Sequence, residues 1–288
     1  MIAQLAAQYP LKLRRELLQI ARGSYYYAAV EPDESTARKA LEKLAAEFPS
    51  QGSRRLTAQL RRAPWRLLVN RKRGQRLMIE LNIQVRTKRV MVRTTNRRPG
   101  YPRYPQLVQD LVITRPDEVR VADITDIRLR HEFIYRALLM DVFTRDLRGW
   151  QLGGGLDTGR AFGALEKALR RGAPKIHHSE QGVPSAAGAY TARLGAVKAQ
   201  ISRAEVGESA QNGYAGRVIR TIKAAAVYRN AYADRAAAER NLKRFIDDVY
   251  RHKRIHSSLQ YQTPAEFEAA WRSQPQAVAA AAASIQGR

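Results

Sequence analysis

The sequence predicts a mixed α/β core preceded by a small all-helical module. Two β-branched and apolar runs, 119–127 and 132–142, flank the short polar turn Arg128-Leu129-Arg130-His131, the pattern of an antiparallel hairpin. After them, short strand-like runs alternate with segments of helical periodicity, the order of a layered α/β architecture. Before them, over 33–81, apolar residues recur at helical spacing with basic residues between.

The 288 residues suffice for one large or two medium domains with proper cores. A hydrophobic content of 44% and a charged content of 27% are those of an ordinary water-soluble chain, but a net charge of +25 is not. The excess is local. Residues 51–115 hold seventeen Lys and Arg against two acids, while 1–50 are nearly balanced. Such asymmetry points to a polyanion, of which nucleic acid is the commonest. A membrane surface is disfavoured, because no basic amphipathic helix has a bulky apolar face. No apolar run approaches the roughly 18 residues of a membrane span. Without cysteine there is neither a disulfide nor a thiolate zinc site. The N-terminus lacks a secretory pattern, so the expected location is cytoplasmic.

Taken in order, residues 1–30 mix a short helical pattern with the loop-like Gly23-Ser24-Tyr25-Tyr26-Tyr27, whose rings could stack on bases or pack locally. A helix starts near Asp33, which can cap it as Ser35 can, and buries Ala37, Ala40, Leu41, Leu44 and Phe48. A second helix over 54–62 points Leu56 and Leu60 inward. A third over 70–81 buries Leu77, Met78 and Leu81, with Gly74 weakening it by about 1 kcal/mol. Arg54, Arg55, Arg71, Lys72, Arg73 and Arg76 then lie on outward faces. Residues 31–85 therefore read as a helix-turn-helix DNA-binding module, the plainer reading being a helical bundle with a solvated basic face. Residues 86–116 read as a basic linker able to track a phosphate backbone. The core spans 117–271: a third strand over 148–152, a helix over 158–170, a buried strand over 175–178, a helix over 186–194, a strand over 200–202, then helices over 211–223 and 235–250. The Ala-rich tail 272–288 has no core-forming pattern and reads as disordered.

One acid, Asp123, sits inside a run that otherwise asks for burial. A carboxylate there is costly unless it is paired or holds a metal; bonding to nearby backbone or to an Arg is the plainer alternative. Asp141 ends the second strand and reads as the anchor of its turn. Of the adjacent His177 and His178, strand alternation sends one into the core and the other towards Glu180.

Several motifs occur together: Ala122-Asp123-Ile124-Thr125, Met140-Asp141-Val142-Phe143-Thr144-Arg145 with Gly149-Trp150, and Ile176-His177-His178-Ser179-Glu180-Gln181-Gly182. Further on come Asn212-Gly213-Tyr214-Ala215, Arg220-Thr221-Ile222-Lys223, Arg254-Ile255-His256-Ser257-Ser258-Leu259 and Thr263-Pro264-Ala265-Glu266-Phe267. On these the chain resembles, over about 30–271, bacterial insertion-sequence transposases with an integrase catalytic core. The resemblance implies a ribonuclease H-like mixed sheet behind an N-terminal all-α helix-turn-helix module. It also implies DNA integration by strand transfer, double-stranded DNA (element ends and target) as partner, and a homo-oligomer on that DNA.

In the family three acids hold two Mg²⁺ (or Mn²⁺) ions about 3.5–4 Å apart, one activating the nucleophile and one stabilising the leaving oxygen. Carried over by position, the first is Asp123. The second falls on Glu180, where the family has Asp. The third falls on Gly216, with thirty-five residues between it and Glu180, where the family has Glu. One helical turn away from 216 stand Asn212, Gly213, Ile219 and Arg220, none of them acidic. Glu208 could substitute only through a shifted loop. The resemblance thus implies an impaired catalyst with doubtful metal binding, and, as the alternative, a non-catalytic DNA-binding repressor or competitor. It further implies DNA contacts at Lys223, Lys253, Arg254 and His256. The chain departs from the family at Arg120 and Asp126, where Trp and Tyr are usual.

Overall fold

A computed structural model describes residues 10–17, 19–27, 33–85, 104–130, 133–154, 158–180, 188–205 and 208–273. The hairpin forms as alternation requires. Strand β1 (Val119–Arg128) pairs antiparallel with β2 (Phe133–Asp141), setting Asp123 opposite Leu138 and Thr125 opposite Arg136. Strand β3 (Leu147–Gly153) pairs antiparallel with β2, through an irregularity at Leu139/Met140. Strands β4 (Ile176–Ser179) and β5 (Gln200–Arg203) add in parallel on the other side of β1. The order β3-β2-β1-β4-β5, antiparallel then parallel, is the ribonuclease H-like arrangement. The parallel pairs need crossovers, and helices supply them.

Helices therefore cover both faces, which is why the central strands are buried on both sides. On one face α6 (Thr158–Leu169) and α7 (Gly188–Ala196) place Ala161, Ala164, Leu165 and Leu194 against Ala122 and Leu139. On the other, α8 (Gly213–Ile222) and α9 (Arg235–Arg244) place Ala215, Val218, Ile222 and Leu242 against Val121, Ile127 and Leu138. Each of α8 and α9 widens at its end into a π-helical turn, over Lys223–Val227 and Phe245–Tyr250. Helix α10 (Pro264–Ser273) packs Phe267 and Trp271 on Phe143 at 5.3 and 6.2 Å.

The N-terminal part is all helical: α1 (Leu11–Leu17), α2 (Arg22–Tyr26), α3 (Ser35–Glu47), α4 (Ser53–Leu60) and α5 (Arg71–Glu80). Leu41, Leu44, Leu56, Leu60 and Leu77 form a core separate from that of the sheet. Asn70 caps α5, its side chain accepting from the Arg73 amide at 2.8 Å. Gly74 has a packing reason: a Cβ there would run into the Thr57 hydroxyl of α4. Of the aromatic triplet, Tyr26 and Tyr27 are 60% and 76% exposed, and the Arg22 guanidinium lies over the Tyr26 ring at 6.0 Å.

The expected linker is only partly outside the fold. Residues 86–103 lie outside the described residues, as do 274–288 of the tail. Residues 104–116 belong to the core: the Leu107 amide donates to Ser202 Oγ at 2.9 Å, and Ile113 is fully buried. Apolar Leu107, Val108 and Leu111 outweigh the basic composition around them. The two parts are also in contact. Gln59 Nε2 donates to the Lys253 carbonyl at 3.1 Å, and Arg62 Nη1 to that of Tyr261 at 3.1 Å. Among the described residues no helix is long and apolar enough to cross a membrane.

Candidate functional site

Parallel pairing of β1 with β4 sets Ala122 beside Ser179, so the next residues, Asp123 and Glu180, emerge side by side. Both border a pocket of about 50 Å³ whose other walls, Ala137, Leu139 and Tyr190, belong to the face covered by α6 and α7. Asp123 lies by alternation on the face covered by α8, and its carboxylate accepts from the Ile124 amide at 2.7 Å. Burial first, and the Glu180 charge second, push its pKa up to about 7. Partial burial raises that of Glu180 as well. Two carboxylates held this close resist ionising together.

Helix α8 is anchored at its start where Asn212 Nδ2 donates to the Ala122 carbonyl at 3.1 Å. That bond fixes the helix next to Asp123. Gly216 stands in its second turn, and a Cβ built there meets no atom within 4 Å. The position is open, and it offers no ligand. Glu208 is exposed in the preceding turn. Among the described residues no three His, Cys, Asp or Glu side chains are placed to hold a metal ion. The residues present therefore do not fit a three-carboxylate metal cluster.

The neighbouring charges are accounted for. Asp141 is a turn anchor, as expected: it accepts from the amide and hydroxyl of Thr144, both at 2.7 Å, and from the Asp117 amide at 2.7 Å. Arg120 is buried, donating to Asp117 at 3.0 and 2.6 Å and to the Ala168 carbonyl at 2.9 Å. Asp126 pairs with Lys223 at 3.0 Å, and the Lys223 charge also favours ionised Asp123. Both histidines are buried, and His177 contacts Tyr190, a wall of the pocket that Asp123 and Glu180 border. His177 Nε2 meets the Tyr190 hydroxyl at 3.2 Å and His178 Nδ1 meets Ser202 Oγ at 2.9 Å. Burial drops the His177 pKa to about 3, so its ring stays neutral.

The expected DNA contacts divide into three groups. Arg54, Arg71 and Lys72 are exposed. Arg73 and Arg76 are engaged within the module: Arg73 Nε donates to Glu34 at 2.8 Å, and Arg76 pairs with Glu34 and, at 2.7 Å, with Glu80. The third group sits in the joint between the modules. Arg254 is 4% exposed, next to Ser50, and Arg55 is half-buried within electrostatic reach of it. His256 is packed edge-on to Tyr250 at 5.1 Å, and burial with the surrounding arginines lowers its pKa to about 3. Arg254 is thus interior and His256 half-buried, and neither stands on the solvated surface expected of a DNA contact. Lys253 remains exposed but pairs with Glu47 at 2.8 Å.

Two features escaped the sequence reading. Arg128 and Arg130 had been read only as turn residues, though two cations in one polar corner were visible. Arg136, a cation inside an apolar strand, carries the same signal that singled out Asp123.

Residues 197–264 match the family model described as an integrase core domain. The chain is 29% identical over 285 residues to a transposase for insertion sequence element IS629 of Shigella sonnei, covering 94% of this chain and 95% of that protein. It is 26% identical over 235 residues to the transposase for insertion sequence element IS904 of Lactococcus lactis, covering 79% and 92%. Among solved structures, the HTLV-2 integrase catalytic core domain in complex with magnesium aligns with a TM-score of 0.43 at 12% identity, over 53% of this chain and 97% of that one. A chain from the structure of the simian T-cell lymphotropic virus intasome in complex with PP2A regulatory subunit B56 gamma aligns with a TM-score of 0.46 at 13% identity, over 79% of this chain and 74% of that one. Over most of its length the chain is similar to insertion-sequence transposases, and residues 197–264 are similar to an integrase core domain.

Proposed function

We propose that this chain is a transposase-type DNA-binding protein whose strand-transfer chemistry is impaired. The observation that carries the reading is Gly216, a side-chain-free position opening into free space where the resemblance requires the third acid. Asp123 and Glu180 alone supply two neighbouring carboxylates, one with a pKa of about 7, a set better suited to sharing a proton than to seating two divalent ions. Glu180 carries one methylene more than the Asp of the family, and misplacement of about 1 Å can cost about 10²-fold in rate. Mg²⁺ or Mn²⁺ is accordingly assigned no step.

Helices α3 to α5 act as the DNA-reading module, with Arg54, Arg71 and Lys72 on its exposed faces. The protein binds element ends as a homo-oligomer, in the bacterial cytoplasm at the nucleoid. The same exposed residues support a second reading, a repressor or competitor that keeps DNA binding without chemistry.

The test is a strand-transfer assay with Mg²⁺ or Mn²⁺ on element-end duplex, run beside a gel-shift measurement. Retained binding without transfer is the expected result. Robust transfer by the unsubstituted chain refutes the impairment. Glu180→Asp with Gly216→Glu should restore both transfer and a thermal shift on adding Mn²⁺.

A further inference from the structure

At the far end of β1 from Asp123 lies a groove of about 570 Å³ between the hairpin and the turn that follows α8. Arg128 and Arg130 form one wall, Tyr228 and Asn230 the other, and Lys223 joins its floor to the Asp123 site. Both arginines are exposed. Among the described residues neither has an acidic partner; the Arg128 guanidinium lies only over the Phe133 ring, at 5.9 Å. The single acid in the groove, Asp126, is already matched by Lys223 at 3.0 Å. The walls are also fixed: the Arg130 amide donates to the Tyr232 carbonyl at 3.3 Å, and the Tyr232 hydroxyl donates to the Ala226 carbonyl at 2.9 Å. An open cleft with two free cations, a Tyr hydroxyl and held walls presents donors suited to phosphate oxygens.

We propose that this groove holds the phosphodiester backbone of the DNA segment flanking the site at Asp123. Arg128 and Arg130 are its contacts. The proposal rests on the DNA-binding reading above and adds to it a location and a register. Five residue steps along the strand carry Asp123 to Arg128, roughly 17 Å at about 3.4 Å per step. A duplex backbone rises about 3.4 Å per nucleotide along the axis while it winds round it. The groove therefore meets the backbone within a few nucleotides of a phosphodiester placed at Asp123. Sequence plays no part in such contacts, which position the duplex without reading it.

The experiment measures duplex affinity against salt concentration for the full chain and for Arg128→Gln/Arg130→Gln. Each lost phosphate contact removes about 0.9 from the slope of log K on log salt, so the double variant should fall by about two. Both side chains are exposed, and an unchanged melting temperature verifies the fold of the variant. In a second arm, neutral methylphosphonate linkages stepped one at a time over the first few nucleotides from the duplex end should at one step weaken binding by the unsubstituted chain and not by the variant. An unchanged slope, or equal sensitivity of both proteins to the neutral linkages, overturns the groove while leaving DNA binding in place. Arg71→Gln/Lys72→Gln should lower the slope independently through the helical module. Failure of the unsubstituted chain to bind any duplex overturns the proposed function, and the groove with it.

Discussion

Replacing Arg136 by Leu should stabilise this protein. Arg136 lies on β2 with 0% of its surface exposed, on the sheet face that α8 and α9 cover, and none of its three guanidinium nitrogens has a hydrogen-bond partner. Asp123 and Tyr232 act on it only through space. Burial lowers its pKa from 12.5 to about 10, and at about 1.4 kcal/mol for each factor of ten this is about 3 kcal/mol of penalty at neutral pH. The usual cost of an unpaired buried charge, about 3–5 kcal/mol, agrees. The folded state disfavours the protonated form, so the penalty is complete below about pH 10 and is relieved as the pH climbs towards 12.5. Leu keeps most of the apolar packing of the Arg stem. Arg136→Leu should therefore gain about 3 kcal/mol at pH 7, a rise in melting temperature of roughly 6–12 °C for a chain of this size. Calorimetry or denaturant unfolding reads it directly. Arg136→Gln should recover less, since it leaves a buried amide unsatisfied. An unchanged or lower melting temperature for the Leu variant refutes the reasoning, for it means that the guanidinium is compensated.

The Asp123 pKa, about 7 against an ordinary 3.8, means that its contribution is most favourable below about pH 4 and is lost as the pH rises through 7. Asp123→Asn should leave stability unchanged at pH 4 and raise it at pH 8 by up to about 4 kcal/mol, measured by urea unfolding at the two values. Arg148 is buried among Asp146 at 3.2 Å, Glu268 at 3.0 Å and Asp117 at 3.3 Å, tying α10 to β3. Arg148→Met leaves these acids their other partners, Arg171, Arg272 and Arg120, and should cost about 1.5–3 kcal/mol for the lost charged hydrogen bonds; a neutral result in the same unfolding assay contradicts the pairing. Gly216→Ala enters open space on a helix and should stabilise by about 1 kcal/mol, which thermal melting can check.

Periodicity carried the sheet and its helices. The hairpin, the strand ending at Ser179 and the helix bearing Gly216 are local patterns of apolar alternation, and each formed within a few residues of its expected bounds. Only the resemblance put Asp123, Glu180 and Gly216 forward as a set; the residues alone show an acid in a buried run and a glycine at 216. Whether a charge is solvated or enclosed was not legible, because burial is set by segments distant in sequence. Arg254 and His256 read as an exposed basic run until α4 closed over them. Arg73 and Arg76 read as free cations until Glu34, some forty residues earlier, took them up.

The sequence by itself determined the order of strands and helices, since apolar periodicity is written in residue type and spacing. Tertiary structure decided the electrostatics. It enclosed Arg136 without a hydrogen-bond partner, lifted the Asp123 pKa by burying the carboxyl and then by bringing Glu180 beside it, and left Arg128 and Arg130 facing an open groove. A charge takes its energy from the medium and the counter-charges around it, and those are assembled only when the chain folds.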